Sequence, residues 1–166
     1  MRPRGKDRPD SRPEGKKMTG KTDFTSDEWK LILEGPPTAG LMVVTAQRGG
    51  VFRETFAIGK TYAEARRQHG ESELLDAIVS ARPERDHSYY RSYEEMKEAG
   101  LRHLHEAIVL LELKATPEEV EDYRQFVLTL VDRVGHAHRE EGETLSEAEK
   151  AAVEEIRGAL TDGAAS

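Results

Sequence analysis

The residues best equipped for chemistry are the six histidines and a concentration of glutamates near the end of the chain. His103/His105 and His136/His138 form two His-x-His pairs. On a strand that spacing brings both rings to one side, but on a helix it separates them by about 200°. Both pairs sit in segments with a strong helical pattern, so neither chelates as a pair. Asp132 and His136, one turn apart, share a helix face, and Glu84 with His87 has a Glu-x-x-His spacing behind Pro83. Together these residues define one reading, a helical metal-dependent hydrolase drawing His and Glu from segments 84–106 and 132–149. The blander alternative is a set of surface histidines. No serine sits in a nucleophile elbow, and no glycine pattern joins a strand to a helix with the Lys-Ser/Thr of a phosphate loop.

The acidic set is denser. Glu140, Glu141 and Glu143 surround Gly142 and converge with Glu147 and Glu149 at the start of a new helix. Carboxylates there complement the helix dipole. They also offer oxygen ligands to Ca²⁺ or Mg²⁺, although the spaced Asp/Asn pattern of an EF-hand loop is absent. A fainter copy lies upstream, where the apolar stretch Leu41–Ala46 leads into Arg48, Gly49 and Gly50 and then Glu54. The two copies suggest a duplicated helix-turn-helix unit around a helical core.

The elements that must position these groups are helices throughout. Thr25 and Glu28 form a capping box with Phe24 outside it, opening a helix to about Glu34 with Trp29, Ile32 and Leu33 on its apolar face. Gly35, Pro36 and Pro37 predict a stop and a restart at a new angle. A second, short helix from about Pro37 to Gln47 is apolar nearly all round (Leu41, Met42, Val43, Val44), the pattern of a buried helix. A third, about Phe52 to Gln68, carries Ile58, Tyr62 and Ala65 on one face, and a fourth, Ser72 to Ala81, carries Leu74, Leu75, Ile78 and Val79.

Ser92 with Glu95 caps a long fifth helix that buries Met96, Leu104, Ile108 and Leu111. Thr116, Pro117 and Glu119 give the clearest start signal, opening a sixth helix to about Arg139 with Val120, Tyr123, Val127, Leu130, Val131 and Val134 inside. Ser146 and Glu149 cap a seventh, whose buried side is Leu145, Ala152, Val153, Ile156 and Leu160. The expected fold is all-α, with about seven helices.

Within 166 residues, composition bounds the rest. Residues 1–22 alternate Pro, Gly and charge with almost nothing apolar to bury, and read as a disordered basic tail, dispensable for folding. It is either a basic arm, a solvated extension or an upstream in-frame extension ahead of a start at Met18. The single domain is expected over residues 23–162. The tail carries eight of the 25 basic residues and three of the 32 acidic ones, so the remainder has a net charge of −12. Such a body repels nucleic acid and suits cations or basic partners. The absence of cysteine excludes disulfides, thiolate metal sites and a thiol nucleophile. No apolar run approaches a membrane span and no signal-peptide h-region follows the first residues, which predicts a cytoplasmic protein.

Gly142, Ser146, Glu149, Lys150, Ala152, Val153, Ile156 and Leu160, behind the small and apolar helix end Val134 and Ala137, resemble the C-terminal unit of the TerB-like family, known from tellurite resistance. The resemblance implies an all-helical fold with an internal pseudo-twofold repeat, in which each repeat has an apolar helix, an Asp-Gly turn and a helix bearing a Glu. It implies a divalent-cation site with Glu141 as turn acid and Glu149 as helix acid, one residue farther apart than usual. In the first repeat Glu54 matches the helix acid, while Gly49 stands where the turn Asp is expected. The function expected from it is that of a non-enzymatic cytoplasmic module, a stress-associated adaptor that binds a partner protein or a weakly held Ca²⁺ or Mg²⁺.

Overall fold

A computed structural model describes residues 19–46, 51–67, 72–81, 90–139 and 145–161. Among the described residues a short 3-10 turn at Lys21–Asp23 is followed by six α-helices: α1 (Ser26–Ala46), α2 (Val51–Arg67), α3 (Glu73–Ser80), α4 (Tyr93–Lys114), α5 (Pro117–Arg139) and α6 (Glu147–Thr161). There is no strand among the described residues, and no helix there is long and apolar enough to cross a membrane.

The helix starts are those that local chemistry specifies. At Thr25/Glu28, Thr116/Glu119 and Ser146/Glu149 the hydroxyl accepts the third residue's N–H at 3.2 Å, and the glutamate accepts the N-cap N–H at 2.7–2.9 Å. Two amides that the first turn cannot pair are thereby satisfied. Ser72 and Ser92 cap α3 and α4 through their hydroxyls alone, and Glu95 accepts from Arg91 N–H instead of Ser92 N–H.

One boundary expected from the sequence is absent: Gly35, Pro36 and Pro37 lie inside α1, buried, and the two short helices expected there are one. An interior proline removes the N–H that should bond the carbonyl four residues back. For Pro36 that carbonyl belongs to Ile32, and the Tyr123 hydroxyl on α5 donates to it at 2.9 Å in the core. Gly35 makes the approach possible, because a Cβ at that position would collide with the Tyr123 oxygen. A buried carbonyl left by the sequence is thus satisfied from another helix.

Continuous α1 is the hub of the domain. It packs most extensively against α4 and α5, and also against α2 and α6. Gly40 allows one of these close approaches, since a Cβ there would stand 2.7 Å from Leu130 Cδ2 and 2.9 Å from Ile58 Cδ1. Met42, Val43 and Val44 are buried as expected, but Leu41 points outward at 42 % exposure. A helix packed on several sides still leaves one strip to solvent. Phe126, which the apolar pattern of α5 did not single out, is buried.

Helix α6 buries Ala152, Ile156 and Leu160 but lies mainly against α4 and α1, with less contact to α5, the helix that precedes it. Arginines tie two helix ends down: Arg124 Nε donates to the Leu160 carbonyl at 2.6 Å and Arg66 Nε to the Val79 carbonyl at 2.6 Å. Both acceptors belong to last turns, whose carbonyls have no partner within the helix.

The turns of the two proposed repeats, 47–50 and 140–144, lie outside the described residues, as do residues 1–18 and 82–89. Contacts with the helices extend ahead of residue 23. Thr19 is buried, and its N–H donates at 2.9 Å to Glu119 Oε1, the oxygen that the α5 capping box does not use.

Candidate functional site

Of the acidic trio implied by the family resemblance, Glu149 is the one whose side chain is described. It sits in the first turn of α6, 3 % exposed, with Oε2 receiving the Ser146 N–H at 2.7 Å. Its geometry is that of a capping-box glutamate. Glu141 lies outside the described residues, and Glu54 belongs to α2 with its side chain likewise outside them. Among the described residues no three His, Asp or Glu side chains converge as a metal-binding group. Because Glu149 Oε2 is engaged in the capping box, calcium or magnesium is expected to raise the thermal midpoint no more than sodium chloride at matched ionic strength. Glu149→Gln keeps an acceptor for the capping box and should leave both salt responses as they are. A divalent-specific rise that this substitution abolishes would establish the cation site instead.

The histidines are dispersed. His103 and His105 lie half-buried on α4, and His103 Nδ1 is buried with no hydrogen-bond partner among the described residues. Asp132 and His136 are on an exposed strip of α5. Glu84, His87 and the His138 side chain lie outside the described residues.

A concave site does exist, where α2, α3 and α5 meet. It is a groove of about 450 Å³ lined by Thr61, Glu64 and Ala65 of α2, by Ser72, Leu75 and Asp76 of α3, and by Asp122, Gln125, Phe126, Thr129 and Arg133 of α5. The α5 contributors recur at steps of three and four, so one polar-edged stripe of that helix faces the groove.

Phe126, Leu75 and Ala65 are the apolar part of the lining, and the Phe126 ring meets Tyr62 edge to face with centroids 5.1 Å apart. This arrangement suits the ring quadrupoles. Tyr62 is 1 % exposed, and burial pushes its phenol well above the usual tyrosine range, so it stays neutral at physiological pH. The lining also holds three carboxylates, Glu64, Asp76 and Asp122, and one guanidinium, Arg133, which forms an ion pair with Glu64 across α2 and α5. The Thr61 hydroxyl is directed back to the Ala57 carbonyl at 2.8 Å, and the Ser72 hydroxyl caps α3. Both are occupied in local structure and neither is set up as a nucleophile.

The groove has no signature in the sequence, because its lining comes from three separate helices. Asp122, Gln125, Thr129 and Arg133 carry the periodicity of an ordinary solvated helix face, and only the placement of α3 over that face makes it concave. No family model, characterised protein or solved structure matches the chain.

Proposed function

We propose that the chain is a non-enzymatic helical recognition module whose α2–α3–α5 groove receives a lysine- or arginine-bearing segment of a protein partner. The observation that carries this reading is the groove's mixed lining, apolar at Ala65, Leu75 and Phe126 and carboxylate-bearing at Glu64, Asp76 and Asp122. A lysine or arginine is mixed in the matching way, an aliphatic stem with a charged head. The net charge of −12 outside residues 1–22 favours the same partners by long-range attraction and disfavours nucleic acid. The resemblance of residues 134–160 to TerB-like proteins supports a cytoplasmic, stress-associated adaptor role of this kind.

A fluorescein-labelled octalysine peptide, followed by anisotropy, tests the reading. Asp76→Asn and Asp122→Asn are each expected to weaken its binding about tenfold, the equivalent of roughly 1.4 kcal/mol for a charge-assisted contact. Glu154→Gln removes an exposed α6 carboxylate outside the groove and should have little effect. If all three substitutions weaken binding equally, the peptide senses net charge alone and the groove is not its site.

A further inference from the structure

We infer that Thr19–Phe24 is a strap that braces α3 against α5 and so sets the affinity of the groove, with Lys114 as its clasp; the inference rests on the groove's being a site for basic segments. Two ties hold the first residue of the strap. The buried Thr19 donates its N–H to Glu119 Oε1, in the first turn of α5, at 2.9 Å and its hydroxyl to the Lys114 carbonyl at 3.4 Å. Gly20 then passes the first turn of α3, where Glu73 Oε1 is 3.9 Å from the position of a Gly20 Cβ. The strap therefore meets the first turns of both helices. Ser72, which caps α3, lines the groove, and so does Asp122, three residues beyond Glu119. The far end of α3 has its own tie, from Arg66 of α2 to the Val79 carbonyl, and direct contact between α3 and α5 is slight.

A single cation fastens the other end of the strap. Lys114 Nζ, at the end of α4, donates to the Asp23 carbonyl at 3.2 Å and to Glu28 Oε2 at 2.6 Å, and lies 5.5 Å from the centre of the Phe24 ring. The same Glu28 oxygen accepts the Thr25 N–H in the α1 capping box, so the clasp is built into the start of the hub helix. The bond from Lys114 holds the Glu28 carboxyl below the usual glutamate range, which keeps both halves of the clasp charged at neutral pH. Within the strap Phe24 is the one apolar side chain, and Lys21 and Thr22 are exposed. A segment with one apolar anchor, held otherwise by side-chain ties, opens at a lower free energy than the helices beneath it. Its opening removes the brace between α3 and α5 at the end of the groove.

Trp29, the single tryptophan of the chain, is buried with its ring centroid 5.9 Å from that of Phe24, so its fluorescence reports the strap. In the full chain, Lys114→Gln is expected to make Trp29 more quenchable by acrylamide. It should also speed hydrogen exchange at the Leu75 and Asp76 amides, which bond Ser72 in the first turn of α3, and leave Ile156 and Leu160 unchanged. Fluorescein-labelled octalysine should bind about threefold more weakly, the loss expected when the competent fraction falls to about one third. The substitution makes the domain more acidic, so a response to net charge alone would be tighter binding. Lys114→Arg keeps the cation and should match the unsubstituted chain. Thr19→Pro deletes the N–H that Glu119 accepts without altering charge, and should reproduce the Lys114→Gln pattern. Unchanged Trp29 quenching in both Lys114→Gln and Thr19→Pro would overturn the inference, as would faster exchange that includes Ile156 and Leu160, the mark of global destabilisation. Greater quenching with unchanged peptide affinity would overturn the strap's control of the groove while leaving the groove as a site for partners. Peptide binding insensitive to Asp76→Asn and Asp122→Asn would instead remove the groove reading, and the inference with it.

Discussion

Ile156→Ala is expected to destabilise the domain by about 2–5 kcal/mol, measured as the change in unfolding free energy from urea titrations followed by circular dichroism. Ile156 is fully buried in the common core, on the face of α6 that lies against α4 and α1. Truncation removes its transfer free energy and leaves a cavity bounded by several helices, so the site cannot collapse by moving one loop. Glu154→Ala, two residues away and 77 % exposed at its side chain, is the internal control. It should change stability by less than about 0.5 kcal/mol. Equal, small effects at the two positions would mean that α6 is not held in the core.

The second large effect concerns the carbonyl that Pro36 leaves open. Tyr123→Phe deletes only the hydroxyl that donates to Ile32 O, in a site with no access to water. It should cost about 1–3 kcal/mol, the penalty of an unsatisfied buried acceptor. Tyr123 itself is held neutral: burial raises its phenol far above the ordinary value, so the donor proton is retained. Pro36→Ala supplies the missing helical N–H, and in that background the Ile32 carbonyl no longer depends on Tyr123. The double-mutant cycle is therefore expected to show a coupling of at least about 1 kcal/mol, with Tyr123→Phe much milder when residue 36 is alanine. Additive effects would contradict this account of how α1 passes through two prolines.

These two expectations differ in how far the sequence alone leads to them. Ile156 announces itself by periodicity: with Ala152 and Leu160 it marks one face of a capped helix, and burial of that face follows wherever the helix docks. The starts of α1, α5 and α6 are equally local, since a hydroxyl and a glutamate three residues apart decide them within one turn, and the Ser92 hydroxyl alone caps α4. The second expectation has no local signature. A Gly-Pro-Pro run carries every signal of a helix end, and those signals are overridden by a tyrosine that bonds the Ile32 carbonyl from 91 residues away.

The functional reading divides along the same line. Glu149 is legible as the residue three after Ser146, and its observed bonds are those of that capping box. The groove is not legible, because Glu64, Asp76 and Asp122 belong to three helices that any sequence pattern treats as separate solvated faces. Likewise Glu119 reads as a cap, yet its second oxygen accepts the N–H of Thr19, 100 residues away.

By itself the sequence determined an all-helical chain, most of its helix starts and most of the residues that are buried, because hydrogen-bond capping and apolar periodicity act over a few residues. Tertiary structure decided that α1 is one helix, that α6 rests on α4 and α1 more than on its chain neighbour, and that α2, α3 and α5 enclose a groove. Each of these depends on contacts between residues far apart in the chain, whose free energy exists only once the helices have docked.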